Sequence, residues 1–255
     1  MLIASSKISV SIVSHMQADM VSALLSDLDR VCKSLPLEVL LTLNLPETLP
    51  FNPGDFSFPL VVHENTVPMG FSANQNQAFS RSTGGYFCVM NPDIRLDSDP
   101  FPALLECLQN TSVGVVGPKV QREDGSTEDS ARCFPTPFRI ICRALGKCRG
   151  PDYVIGADPI HPDWIGGMFL LFPHASFEAL GGFDQRYHLY CEDVDICARV
   201  RLQGHDVVLC PQAKVIHHAQ RSSHRSFQYF RWHLTSIARL FLSPAYWRVQ
   251  YRKWG

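Results

Sequence analysis

Apolar positions along this chain alternate between short unbroken runs and stretches spaced every three or four residues. ISVSIVSH (8–15) has the β-branched content of a buried strand. ADMVSALLSDLDRVCKSL (18–35) repeats Met20, Leu24, Leu28 and Val31 at helical spacing. LEVLLTLNL (37–45) and FPLVVHEN (58–65) read as second and third buried strands, and SANQNQAFSRS (72–82) as a helix capped by its serine. GYFCVMNPDIRL (85–96) is a fourth strand that runs straight into Asn-Pro-Asp. Strands alternating with helices predict parallel pairing and an open α/β sheet over at least the first 100 residues.

Beyond that point the pattern changes. VGVVGPKVQREDGSTEDSARCFPTPF (113–138) predicts a strand and then a polar hairpin or loop around Asp124-Gly125. Residues 142–163 are rich in turn formers and are expected to be mobile. WIGGMFLLFP (164–173) returns to strand, a helix is expected over about 192–203, and a strand over 206–210. The end is helical up to Pro244 and then aromatic and basic. No internal repeat or low-complexity tract interrupts this order.

The 255 residues suit one domain with a short appendage. No run of 18 apolar residues exists, so no spanning helix is expected. The first residues read as a buried strand rather than a signal peptide. Nine cysteines, an odd number with no C-x-x-C, point to reduced thiols in a cytosolic protein, not to a disulfide framework or a zinc cage. Charge is unevenly spread. From Val207 to Gly255 there are eight basic residues and no acidic one, so residues 1–206 hold 15 basic against 24 acidic, or −9. That asymmetry suggests a basic arm facing an anionic partner.

The densest chemistry lies in GGFDQRYHLYCEDVDICARV (181–200), which places Glu192, Asp193 and Asp195 at the mouth of a helix. Acids in a first helical turn favour the positive end of the helix dipole with no catalytic meaning, so partners must be sought. Asp93, just past a strand end, suits a hard divalent cation, Mg²⁺ or Mn²⁺; the same Asn-Pro-Asp also makes an ordinary turn. His217 and His218 follow another short strand, and imidazole with carboxylate favours Mn²⁺ over Ca²⁺. The amides of NQNQ (74–77) read hydroxyls and phosphate oxygens or cap a helix equally well. Gly166-Gly167 within a strand implies a close approach to the backbone, and Trp164 beside it offers a platform for a sugar.

Together and in this order, VSIVSH, GFSANQNQAF, GGYFCVMNPDIRL, WIGGMFLL, LGGFDQRYHLYCEDVDICARVRLQG and VIHH make the chain resemble the family two glycosyltransferases of the GT-A fold, in their rhamnosyltransferase-like branch. The resemblance covers roughly residues 8–240, and its third and fifth segments are the most specific. It implies a Rossmann-like open mixed sheet flanked by helices, with a C-terminal helical basic tail. A GT-A domain would fill 1–225, with a donor half to about 110 and an acceptor half over 111–225; residues 226–255 would form the helix and tail.

The resemblance also implies roles. Asp193 matches the general base, with Glu192 beside it. Asp93 and His217 match the metal ligands for Mg²⁺ or Mn²⁺, and Asn91 replaces a first aspartate. Ser14, Glu64, Asn74, Asn76, Asn91 and Asp93 are candidate nucleotide-sugar contacts, and Trp164, Gly166 and Gly167 candidate acceptor contacts. The implied reaction moves a sugar, such as rhamnose from a dTDP donor, with inversion to a saccharide acceptor, often lipid-linked, in surface polysaccharide synthesis. The expected place is the cytoplasm, at the inner face of its membrane.

Three departures bear on the donor. Leu43-Asn44 stands where relatives carry an Asp-Asn pair that reads the base, Pro68 stands where an Asn is usual, and Met16 stands where an Asn ends the first strand. A UDP-hexose or galactofuranosyl donor, and a non-catalytic family member acting as a scaffold, are the rival readings. The aromatic, arginine-rich end fits docking on anionic lipid or packing on the domain. No nucleic-acid motif is present, and a homodimer is left open.

Overall fold

The β-branched runs of the first half do form strands, and the stretches between them do form helices. The computed structural model describes residues 7–147, 150–218 and 227–254. In chain order the strands are β1 (Ile8–Ser14), β2 (Leu37–Leu43), β3 (Leu60–Glu64), β4 (Tyr86–Met90), β5 (Ile94–Arg95), β6 (Val113–Gln121), β7 (Ala131–Arg132), β8 (Trp164–Ile165), β9 (Phe169–Pro173) and β10 (Asp206–His217). The α-helices are α1 (Ala18–Val31), α2 (Phe71–Phe79), α3 (Phe101–Leu108), α4 (Pro137–Ala144), α5 (His174–Ala179), α6 (Glu192–Leu202), α7 (Phe227–Leu242) and α8 (Pro244–Trp254).

The main sheet runs β3-β2-β1-β4-β9-β6-β10-β5, and β7 pairs with β8 in a small second sheet. The segment β3-β2-β1-β4 is parallel, as the alternation predicts, whereas β9 lies antiparallel between β4 and β6. The sheet is therefore mixed, and it is the second half of the chain that mixes it. β1 and β2 are buried on both faces; their residues are apolar or small and neutral apart from Glu38, and the three serines of β1 are buried with the rest. One core cluster joins α1, α3 and one face of the sheet; another packs Phe172, Phe177, Phe183 and Ile196 on the other face.

Several expectations change. The helix expected to 35 stops at Val31, and α2 begins at Phe71 with Gly70 as its cap, so Ser72 lies inside the first turn and is buried. The strand expected over 164–173 is broken into β8 and β9 by a turn at the two glycines. β10 runs on to His217, past a bulge between Cys210 and Lys214, rather than ending at 210. Residues 150–163 are irregular, but not free. Asp152 accepts from the Cys133 amide at 3.0 Å and Ile160 pairs with Leu209, so the expected mobility is countered at both ends.

The C-terminal arm is joined to the domain. Leu240, Tyr246 and Val249 are buried with Phe134, Tyr187, Val194 and Ala198, and α8 packs along α6. No disulfide joins cysteines among the described residues; Cys148, Arg221 and Arg225 lie outside the described residues. No helix among the described residues is long and apolar enough to cross a membrane.

Candidate active site

Two cavities open at the carboxyl ends of the strands, and Tyr190 lines both. The first, about 400 Å³, is walled by His15, Met16, Asn44, Asn74, Asn91 and Asp93, with Tyr229 and Trp232 from α7. The second, about 330 Å³, contains Glu192, Asp193, Trp164, Arg132, Arg139 and Arg143.

In the first cavity, Pro92 ends β4 and the next residue, Asp93, meets the end of β10. His217 Nε2 lies 3.2 Å from Asp93 Oδ2, and His217 Nδ1 lies 2.8 Å from Glu128 Oε2. Burial disfavours a charged ring, but the two carboxylates outweigh it and raise the His217 pKa to about 9. The sequence-predicted pair is thus together in space. His218 points elsewhere, to Glu123 at 3.0 Å. Among the described residues no group of three acids, histidines or cysteines forms a ready cage.

The donor set nonetheless fits a cation. Asp93 Oδ1 is buried with no hydrogen-bond partner among the described residues, and Mg²⁺ or Mn²⁺ commonly takes one or two protein groups and leaves its other positions to phosphates and water. Glu128, on the far nitrogen, would orient the ring as outer-shell carboxylates do for ligating histidines. Sequence reading passed over Glu128, because nothing in a polar hairpin signals which of its acids folds back onto a strand 89 residues away.

The remaining polar residues of the first cavity form a mesh. Asn44 Oδ1 accepts from Asn65 Nδ2 at 2.9 Å, Asn74 Nδ2 at 3.1 Å and the Met69 amide at 2.8 Å. Asn44 Nδ2 donates to the Met69 carbonyl at 3.0 Å. Asn74 therefore reaches the cavity wall with its amide engaged. Three other expected donor contacts lie outside the cavity lining. Ser14 is fully buried and its Oγ accepts from the Gln17 amide at 3.2 Å. Glu64 is exposed on the edge strand β3. Asn76 faces the opposite way, exchanging two 2.8 Å hydrogen bonds with the Phe183 backbone. Gly182, at φ 72°, permits this: a Cβ there would stand 2.4 Å from Asn76 Oδ1.

The second cavity is aimed by its backbone. Tyr190 (φ 71°) and Cys191 (φ 65°) are consecutive non-glycine residues in the left-handed region, immediately before α6. Such conformations are costly and concentrate at functional sites. They deliver Glu192 and Asp193 together. Asp193 Oδ2 accepts from the Gly167 amide at 3.0 Å and Oδ1 from the Val194 amide at 2.8 Å. Glu192 is buried, and its Oε2 has no partner. Burial first, and the adjacent Asp193 charge second, push the Glu192 carboxyl well above its ordinary range. Burial raises the Asp193 carboxyl as well, while its bonds from the Gly167 and Val194 amides lower it, so the two acids titrate as one coupled pair.

Asp195 has a different task. It pairs with Arg199 at 2.7 Å, and Arg199 also donates to the Leu180 and Gly182 carbonyls, which anchors the preceding turn. Of the three clustered acids, one is structural. Trp164 does line the cavity, with its Nε1 donating to the Cys133 carbonyl at 3.0 Å and Arg132 over its ring at 5.9 Å. The bare backbone expected at Gly166-Gly167 is approached by the protein itself, since a Cβ on Gly167 would lie 3.4 Å from Asp193 Cβ.

No family model matches the chain. Curated relatives do. The chain is 27% identical over 183 residues to a rhamnosyltransferase of Escherichia coli, WbbL, covering 69% of this chain and 68% of that one. It is 31% identical over 150 residues to the N-acetylglucosaminyl-diphospho-decaprenol L-rhamnosyltransferase of Mycobacterium tuberculosis, covering 54% of this chain but 48% of that protein. The chain thus spans about half the length of the mycobacterial relative. Among solved structures, a mannosyltransferase of Pyrobaculum calidifontis in complex with GDP-Man and Mn²⁺ superposes with a TM-score of 0.64 at 16% identity, over 94% of this chain and 66% of that one. GalNAc-T7 with UDP, GalNAc and Mn²⁺ gives 0.64 at 14% identity, over 84% and 44%. In sequence the chain is thus similar to curated rhamnosyltransferases, and in fold to solved glycosyltransferases of the GT-A type.

Proposed function

We propose that this chain transfers a sugar, with inversion, from a nucleotide donor in the Asp93 cavity to a saccharide hydroxyl in the Asp193 cavity, during surface polysaccharide synthesis. The observation that carries the proposal is the adjacency of the two cavities across Tyr190, with the Glu192–Asp193 pair in one and Asp93, which contacts His217, in the other.

Asp193 is the general base. Each of its oxygens accepts one backbone amide and keeps a lone pair. It takes the proton of the acceptor hydroxyl as that oxygen bonds to the anomeric carbon. The bond from that carbon to the nucleotide diphosphate breaks on the opposite face, and the diphosphate leaves with the electron pair. A single displacement of this kind inverts the centre. The working form of the coupled pair is the one in which Glu192 keeps the proton and Asp193 is ionised. Asp93 and His217 would hold Mg²⁺ or Mn²⁺, which when bound neutralises charge on the leaving phosphate. Trp164 supplies an apolar face for a sugar ring.

The donor proposed is rhamnose carried by dTDP; the names of the rhamnosyltransferases to which the chain is similar support the sugar, and the nucleotide is the reading of the sequence resemblance. The name of the mycobacterial relative supports a lipid-linked diphosphosaccharide as acceptor, and hence a place at a membrane face. Asn44 is spent in the amide mesh rather than free to read a base, so base identity is tested directly. Purified protein is incubated with dTDP, UDP and GDP, each with and without Mn²⁺, and thermal shift is recorded. A metal-dependent rise with one nucleotide is expected, since a ligand of the native state stabilises it by mass action. A rise with UDP alone would move the donor to a UDP-hexose or galactofuranosyl sugar. No rise with any nucleotide would overturn the transferase assignment in favour of a non-catalytic role.

A further inference from the structure

Helix α4 is inside out. A helix on the surface of a globular domain turns its apolar side inward and its charges to water. In α4 the side chains facing the Asp193 cavity are Arg139, Ile140 and Arg143. Both arginines are pinned from within, by Asp152 Oδ1 at 2.7 and 3.0 Å, and the Thr136 side chain caps the helix by accepting from the Arg139 amide. The outward side carries Phe138, Ile141 and Leu145, which are 74%, 58% and 65% exposed. Their spacing of three and four puts them in one row.

A second exposed row stands on α7, which shares the cavity wall with α4. On α7, Ile237 lines the cavity, and at helical spacing outward from it stand Leu234 and Phe230, 50% and 59% exposed. Along the two helices themselves every charge is basic: from Pro137 to Lys147 there is no acidic residue, and from Val207 to the end there is none either; the acids near α4, Asp129 and Asp152, are paired with its arginines. Water-exposed apolar rows on helices that carry only basic charge match the interior boundary and headgroup charge of an anionic bilayer. A second protein copy would bring the same basic charge against itself.

We infer that the outer face of α4, with the exposed row of α7, seats the mouth of the Asp193 cavity on an anionic lipid surface. Phe138, Ile141 and Leu145 enter the headgroup layer, while Arg139 and Arg143 stay turned to the cavity. This deepens the acceptor assignment made above and rests on it, because a cavity that opens onto the bilayer can take a saccharide still attached to its lipid. It also shifts the contact surface from the chain end to α4, since α8 is engaged with α6.

The test is flotation of the full chain with vesicles of phosphatidylcholine alone and with phosphatidylglycerol added, comparing wild type with the triple variant Phe138→Ser, Ile141→Ser, Leu145→Ser. Wild type is expected to float with the anionic vesicles, and the variant to partition on the order of 10²-fold more weakly. Both proteins should show the same nucleotide-induced thermal shift. Equal partitioning of variant and wild type, or no flotation of wild type, overturns the inference, and equal binding to neutral and anionic vesicles overturns the choice of lipid. A wild-type dimer by light scattering that the triple variant turns monomeric would assign the face to a second copy instead. Nucleotide binding fails or survives independently of flotation, so loss of the transferase assignment is distinguishable from loss of this one.

Discussion

The two cavities on either side of Tyr190 are built by different means. The Asp93 wall is a mesh of side chains: Asn44, Asn65 and Asn74 hold one another, and Asp93, His217 and Glu128 form a row of contacts from strand end to hairpin. The Asp193 wall hangs on main chain: two left-handed residues, a glycine amide and the first turn of α6 set the carboxylates in place. Side-chain deletions should therefore spread through the first cavity and stay local in the second.

The sharpest way to break this contrast is Asp193→Asn. It keeps the shape and the backbone that aims it, so the fold and nucleotide binding should survive while transfer falls by about 10²–10⁴-fold. Single-turnover transfer beside a nucleotide thermal shift checks both; a parallel loss of binding would mean that the two cavities are not separate.

Next in size is Glu128→Ala, which removes no ligand of the proposed cation yet frees His217 Nδ1. Mn²⁺ affinity read by electron paramagnetic resonance should weaken by about 10–100-fold, and Glu128→Gln, which retains an acceptor, should lose less. Unchanged affinity would show that the row of contacts is not needed to set the ring.

Asn44→Ala removes the hub of the amide mesh and leaves buried groups of Asn65, Asn74 and Met69 without their partner. A loss of about 2 kcal/mol in denaturant unfolding is expected. If the loss matches that of an exposed surface asparagine, the mesh contributes nothing and the contrast fails.

The smallest effect is one of pH. Glu192 has a folded pKa well above its unfolded value. Between those two values the folded state binds one proton more than the unfolded, so this residue makes stability decline as pH rises through that window. Glu192→Gln should reduce that decline and raise stability on the alkaline side of the window, seen as a flatter dependence of Tm on pH. An unchanged slope would mean that Glu192 titrates normally.

The contrast also explains what could be read in advance. β1 to β4 are rich in β-branched and other apolar residues, and α1 is a clean helical repeat, so the parallel half and the strand ends near Asp93 were legible. So was the turn-helix that carries Glu192 and Asp193, because its composition is distinctive. What escaped were short elements with weak periodicity, such as α3 and α5, and pairings at long separation. β9 lies antiparallel between β4 and β6 because of where the sheet has room, which local pattern does not encode. Ser14, Glu64 and Asn76 sit at plausible strand and helix ends, yet which way a side chain turns there depended on neighbours far along the chain: Asn76 is taken by Phe183. α4 misled most simply. Its apolar and basic residues fit a loop as well as a helix, and its orientation, charges inward, reverses the usual rule.

Tyr190 and Cys191 carry one more consequence. Glycine at either position would adopt the left-handed turn freely, and each non-glycine residue there costs about 1 kcal/mol or more. The chain forgoes that stability and receives stiffness in return, since a β-carbon narrows the conformations that the turn can visit. A general base must be held to within about 0.5 Å of its working position. Cys191→Gly is thus a substitution under which the protein would melt later and aim worse: the turn behaves as a gunsight, heavier than the frame requires because a lighter one would wander.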